Sequence, residues 1–197
     1  MFRVFAMCLE AGIAAVLLSP AFWALNRYHF RNTSRAACYL VMALYLAAVD
    51  AVVGLPSLLY IRFDRNMNLV PFAYMFSDYE NSLLNVLLFV PLGFFLPVLW
   101  KRFRSFLWTA LFGLGFSLCI ELLQLFTFRA TDINDLMTNT GGAILGWCLG
   151  RLILKLFPSI RPSWKTGELA VVFGVTFSVM FLAQPFLAEI VWNLIRK

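Results

Sequence analysis

Long apolar runs separated by short polar stretches constrain this chain more than any other feature. Read along the sequence, six runs cover residues 4–25, 37–61, 83–100, 105–128, 138–157 and 169–192. Runs of about 18 or more apolar residues are long enough to cross a bilayer as a helix. In lipid, every backbone N–H and C=O must be satisfied within its own segment, so such runs are expected to be helical. A closed barrel would need short segments of alternating polarity, and the sequence shows none. The expected fold class is therefore all-α, a polytopic transmembrane helical bundle. It has about six spanning helices and an interfacial or re-entrant segment near 64–80. No Gly/Ser linker or low-complexity tract divides it, so residues 1–197 read as one membrane domain. The first run has the position of a signal peptide, but Glu10 interrupts it and only Arg3 precedes it as a basic residue; a retained helix is expected.

Composition agrees. Hydrophobic residues make up 62% of the chain and charged ones 13%, too few charges to cover the surface of a soluble domain of this length. The net charge of +6 does not form one patch, which argues against a nucleic-acid partner. Cys8, Cys38, Cys119 and Cys148 all lie in apolar runs and read as small buried hydrophobes, with no disulfide framework or CxxC metal pair.

The basic residues alternate between the two sides of the expected bundle. One side holds Arg27, Arg31, Arg35, Lys101, Arg102, Arg104, Arg151, Lys155, Arg161 and Lys165; the other holds Arg3, Arg62, Arg65, Arg129, Arg196 and Lys197. Because basic loops favour the cytoplasm, the first set is expected inside. Both termini and the loops 62–82 and 129–137 are then expected outside.

The 63–81 loop is unusually apolar. Tyr60, Phe63, Phe72, Tyr74, Phe76 and Tyr79 suit the headgroup region, and Pro71 biases Val70 away from helix. Two readings stand: a segment half-sunk in the interface or re-entrant and covered by protein, or a plain connector hugging the membrane.

Polar residues gather at one end of the fourth and fifth runs. Glu121 and Gln124 share a helix face that Gly113 and Ser117 extend at four-residue steps. A carboxylate facing lipid is costly, about 2.5–3.5 kcal/mol at a helix centre, so Glu121 should turn inward. Asn139, Gly142, Gly146 and Gly150 share a face of the fifth run, and small-xxx-small spacing permits close helix approach. The expected packing sets this ridge against Gly113 and Ser117, bringing Asn139 towards Gln124 and Glu121. Asn85 sits at the same depth on the third run, and Arg129, Asp132 and Asp135 occupy the connector above. The plain alternatives are hydrogen bonds that stitch helices together, a surface ion pair, or Asp132 or Asp135 capping the next helix. Glu10, Asp50 and Glu189 have no evident partner.

The same residues carry a family resemblance. Residues 68–150 resemble a VanZ-like domain through Asn68-Leu-Val-Pro-Phe72, Asn85-Val-Leu-Leu-Phe-Val-Pro-Leu-Gly93, Ser117-Leu-Cys-Ile-Glu121-Leu-Leu-Gln124, Arg129-Ala-Thr-Asp132-Ile-Asn-Asp135 and Asn139-Thr-Gly-Gly-Ala-Ile-Leu-Gly146. The resemblance implies that Asn85, Glu121, Gln124, Arg129, Asp132, Asp135 and Asn139 are the family's polar positions. It also implies a bacterial plasma-membrane protein, multi-pass, related to factors that lower susceptibility to the lipoglycopeptide teicoplanin.

Three functions fit. The first is a non-enzymatic factor that binds an envelope component at the outer leaflet, with Arg129 holding an anionic group. Its partners would be membrane lipids and a cell-wall precursor or lipoglycopeptide. The second is an enzyme on a lipid-linked precursor, with Glu121, Asp132 or Asp135 as acid and base. The third is a structural scaffold. The only histidine, His29, lies far from the cluster, and no Ser-His triad, HExxH site or phosphate loop is present. No cofactor or resident metal is expected, although Asp132 and Asp135 are the residues that would ligate one.

Overall fold

The structure, a computed structural model, describes residues 2–59, 61–63, 67–72, 78–127, 131–161, 163 and 165–195, with side chains described from Leu9 onward. Arg129 lies outside the described residues, as do Tyr60, Arg65, Tyr74, Phe76, Arg196, Lys197 and the side chains of Arg3 and Cys8. In chain order the elements are α1 (Phe2–Leu25), a π-turn at Asn26–Phe30, α2 (Thr33–Val53), β1 (Met67–Asn68) and α3 (Tyr79–Leu99). A 3-10 turn at Lys101–Arg104 follows, then α4 (Phe106–Gln124), β2 (Thr131–Asp132) and α5 (Ile133–Leu156). The last run is α6 (Gly167–Ser178), a π-turn at Val179–Ala183 and α7 (Gln184–Ile195). All six expected runs are thus helical. Among the described residues, five helices are long and apolar enough to cross a membrane: Leu9–Phe30, Thr33–Val53, Tyr79–Leu99, Phe106–Gln124 and Gly167–Ile195. The 24-residue α5 is outside that set, because its first two turns hold Asn134, Asp135, Thr138 and Asn139 and its last two hold Arg151 and Lys155.

The chain forms two compact units, Met1–Arg62 with Gly167–Lys197, and Phe63–Thr166. In the first, Leu18, Phe22, Tyr39, Met42, Leu46, Val49 and Val172 are almost fully buried. Asn26 accepts from the Asn32 amide, and Asn32 in turn caps α2 by accepting from Arg35 N at 2.9 Å. The capping satisfies a first-turn donor that the helix itself cannot. α2 stops at Val53, short of the expected 61, because Gly54 takes a left-handed φ of 65° and returns its N–H to Asp50 O. Glu168, buried at the start of α6, accepts from Tyr39 Oη at 2.6 Å and pairs with Arg35 at 3.5 Å. This ties α6 to α2.

Pro185 has no N–H to give to Phe181 four residues back. The π-turn at Val179–Ala183 adjusts the helix there, and Leu58 N donates to Phe181 O at 3.2 Å. A non-helical segment thereby meets the carbonyl that proline leaves open.

In the second unit α3 and α5 run in the same direction in near backbone contact. A Cβ on Gly142, Gly146 or Gly150 would run into the carbonyl of Val86, Val90 or Phe94 respectively, and one on Gly93 would strike the Ala143 backbone. The glycine ridge therefore packs on α3 and not on α4, contrary to the sequence expectation. The face turned towards α4 carries Asn139 and Ala143, which meet Ser117 and Gly113. Periodicity found the ridge, but its partner surface is main-chain carbonyls, which leave no mark in side-chain composition. Phe89, Leu92, Leu96, Ile120 and Ala143 fill the core.

α4 is polar within and apolar without. Thr109, Gly113, Ser117, Glu121 and Gln124 are buried, whereas Leu107, Leu111, Leu114, Leu118 and Leu122 are exposed. Burying the small and polar stripe while exposing leucine suits hydrocarbon surroundings, where apolar outward surface costs nothing. The chain is a multi-pass membrane protein.

Candidate functional site

The site grows from the end of α4. Glu121, 4% exposed, turns inward and accepts the backbone N–H of Asp132 through Oε2 at 2.8 Å. Thr131 Oγ1 donates to the Glu121 carbonyl at 3.0 Å, satisfying one of the last orphan carbonyls of α4. A helix end and the start of the next helix are thus fastened to each other across the 125–130 connector.

Asp132 is the N-cap of α5 and accepts from Asn134 N at 2.8 Å, so the capping reading of this residue holds. It does more than cap. Its two carboxylate oxygens both accept from Asn68 Nδ2 at 3.1 Å, while β1 and β2 pair in parallel, Met67 beside Thr131 and Asn68 beside Asp132. Asn134 Oδ1 accepts the Phe72 amide at 2.7 Å. Two amides and one carboxylate therefore clasp the 67–72 segment onto the helix start. Phe72 has a φ of 63°, a left-handed conformation that costs a bulky residue about 1–2 kcal/mol. That cost is met by the bond to Asn134 and the turn at Pro71.

Leu69, Val70 and Phe72 are 63%, 63% and 56% exposed. The described part of this loop is therefore not covered by protein, which removes the covered re-entrant reading for 67–72. Its apolar side chains point outward from a polar clasp.

The remaining expected site residues are placed less uniformly. Asn139, buried in α5, donates to Ser117 Oγ at 2.9 Å rather than to Gln124 or Glu121, one turn deeper than expected. Gln124 is buried at the end of α4, where its carbonyl accepts from Thr127. Asp135 is half-buried in the first turn of α5, and with Asp132 it acts electrostatically on Glu121. Asn85 is half-buried on α3. Two buried polar atoms, Asn85 Nδ2 and Asn139 Oδ1, have no hydrogen-bond partner among the described residues. Both residues lie within a turn of the crossing where Gly142 meets Val86. An unsatisfied buried donor and acceptor each cost about 1–3 kcal/mol. They are the open valences of this end of the unit.

No group of three or more His, Cys, Asp or Glu among the described residues is arranged to hold a metal ion. Hydrogen bonding to a polar ligand, with carboxylates nearby, is what the arrangement offers chemically.

The sequence model of the VanZ/LLP1 family matches residues 36–157, more than half of the chain. This protein belongs to the VanZ/LLP1 family. The match reaches beyond 68–150 on both sides, taking in most of α2 and the end of α5. Protein VanZ of Enterococcus faecium is 35% identical over 111 residues, covering 56% of this chain and 67% of its own. No solved structure matches.

Asn68, Thr131 and Asn134 join this hydrogen-bond network although they were not among the expected site residues, whereas Ser117 meets Asn139 on the face where it was expected. Asn68 and Asn134 stood within the motifs that carry the resemblance, but their partners lie 64 and 62 residues away in sequence, and spacing cannot report a contact of that kind.

Proposed function

We propose that this VanZ/LLP1 protein binds a polar cell-envelope component at the outer leaflet through the Glu121 end of the 63–166 unit. By this route it gives low-level protection against teicoplanin. One observation carries the reading: Asn85 Nδ2 and Asn139 Oδ1 are buried and unmet beside a network in which Glu121, Asp132, Asn68 and Asn134 are tightly bonded. A rigid frame with an open donor and an open acceptor suits the amide and hydroxyl groups of a peptide or sugar. Arg129, by its charge, suits an anionic group on the same ligand. The outward placement rests on the opposite end, where residues 99–106 and 151–166 hold seven cations and no acid.

The similarity to Protein VanZ supports this reading. The test is teicoplanin susceptibility of cells carrying Asn85→Ala, Asn139→Ala, Glu121→Gln, Arg129→Ala or Asp135→Asn, with membrane abundance measured first. Variants present at normal abundance are expected to lose protection. Full protection by all five would overturn the reading. Purified protein offered a lipid-linked wall precursor is expected to bind it unchanged, whereas turnover would assign an enzyme to the same carboxylates.

A further inference from the structure

At the end of the 63–166 unit opposite Glu121, α5 turns three side chains to one side at four-residue steps: Trp147, Arg151 and Lys155. Trp147 Nε1 donates to the Arg104 carbonyl at 3.3 Å, which sets the 3-10 turn Lys101–Arg104 against α5 one turn before Arg151. Arg104, Arg151 and Lys155, with Leu152 and Leu154, then line one cleft of about 470 Å³. The neighbouring Arg102 lies over the Trp108 ring at 3.6 Å. Arg104 differs: its Nε is buried and has no hydrogen-bond partner among the described residues.

A buried guanidinium nitrogen without an acceptor is a costly arrangement, and Arg104 shares its cleft with two more cations. The C-terminus of α5 favours a positive charge in its last turn, which accounts for Lys155. It does not account for Arg104, which comes from another element. Nor do the segments that carry these cations supply a counter-ion, since residues 99–106 and 151–166 contain no Asp or Glu. Three cations lining one cleft favour an anion as the acceptor. Beside the cleft, Leu149, Leu152, Leu156 and Phe157 are exposed and form an apolar flank.

We propose that Arg104, Arg151 and Lys155 form a binding site for the phosphate of an anionic membrane lipid, its acyl chains lying along the exposed leucines of α5. Guanidinium matches phosphate in a bidentate manner, and lysine adds a point charge. Basic clefts between helices are suited to such headgroups. The site does not depend on what the Glu121 end binds, nor on which leaflet it faces.

The test uses the full chain in nanodiscs of mixed phosphatidylglycerol and phosphatidylcholine, with retained lipid counted by native mass spectrometry. Wild type is expected to retain phosphatidylglycerol in preference to phosphatidylcholine. The double variant Arg151→Gln/Lys155→Gln removes two exposed cations and keeps good helix formers, so it should fold. Its affinity for phosphatidylglycerol is expected to fall about twenty-five-fold, fivefold for each of the two cations. The matched control, Arg161→Gln/Lys165→Gln, makes the same change in net charge outside the cleft and should retain the lipid. Equal loss in both variants, or no preference for the anionic lipid in wild type, would overturn the proposal. Displacement of the lipid by millimolar inorganic phosphate would also overturn it, by assigning a soluble anion to the cleft.

Discussion

At position 121 a carboxylate oxygen accepts the amide proton of Asp132, and that bond, with the one from Thr131 Oγ1 to the Glu121 carbonyl, joins α4 to the start of α5. Glutamine keeps an acceptor oxygen of the same reach, so Glu121→Gln should preserve the bond at a cost of about 1 kcal/mol or less. Leucine removes the acceptor and leaves the Asp132 N–H unmet, which should cost about 1–3 kcal/mol. Thermal unfolding in detergent checks both: the glutamine variant should melt close to wild type and the leucine variant clearly below it. If the charge itself serves function, the glutamine variant will still lose teicoplanin protection while melting normally. Equal melting of the two variants would mean that the Glu121–Asp132 bond contributes nothing to the fold. Residue by residue, the site was partly legible in advance. Glu121 had to turn inward because its charge forbids the lipid face, and Asp132 stood where a helix cap belongs. The clasp from Asn68 and Asn134 was not legible, because hydrogen bonds between an amide in one loop and a group some sixty residues on follow from tertiary placement alone.

Among the elements, the closest approach is between α3 and α5, and it is made by main chain. Gly146 is its midpoint, directly over the Val90 carbonyl. Gly146→Val must push the helices apart or fail to assemble, at a cost of about 3 kcal/mol, the upper end of what overpacking usually costs. Leu145→Val, at a position 53% exposed on the outer side of the same turn, should change stability by less than about 0.5 kcal/mol. Comparing folded yield and melting temperature of the two variants tests the contact, and equal behaviour would refute it. A gentler probe is available in the other unit. Pro185→Ala restores an N–H that competes with Leu58 for the Phe181 carbonyl. Hydrogen exchange at the Leu58 amide should then quicken about fivefold, corresponding to a net bond worth about 1 kcal/mol. The helices themselves were legible, since length and hydropathy leave lipid-exposed backbone no other choice. Their ends were less so: Gly54 halts α2 early by its left-handed turn, and Asp132 starts α5 five residues before its apolar run. Capping chemistry, not hydropathy, sets those boundaries.

Across the whole molecule, charge distribution offers the strongest statement about direction, and it can be tested without a ligand. Seven cations with no acid fall within 99–106 and 151–166, at one end of α3, α4 and α5, whereas Asp78, Glu80, Glu121, Asp132 and Asp135 fall at the other. A basic end resists transfer across a membrane held negative inside, so the acidic end is the one expected to reach the external side. Val70 and Arg161 report on the two ends, since both are exposed, the Val70 side chain is outside the clasp (only its backbone N–H donates, to Asn68 Oδ1) and Arg161 is outside the cleft. In a chain whose four cysteines are replaced by alanine, Val70→Cys should react with a membrane-impermeant maleimide added to intact cells. Arg161→Cys should react only after the membrane is opened. The reverse pattern would place the Glu121 network inside, and an outer-leaflet ligand would then be ruled out whatever the susceptibility of the variants. Labelling of both positions from outside would mean that the chain inserts in two orientations, in which case charge asymmetry does not set direction here. The expected pattern, with labelling at 70 alone, fixes the side from which a wall precursor or lipoglycopeptide could meet Asn85 and Asn139, and it does so independently of any assay of resistance.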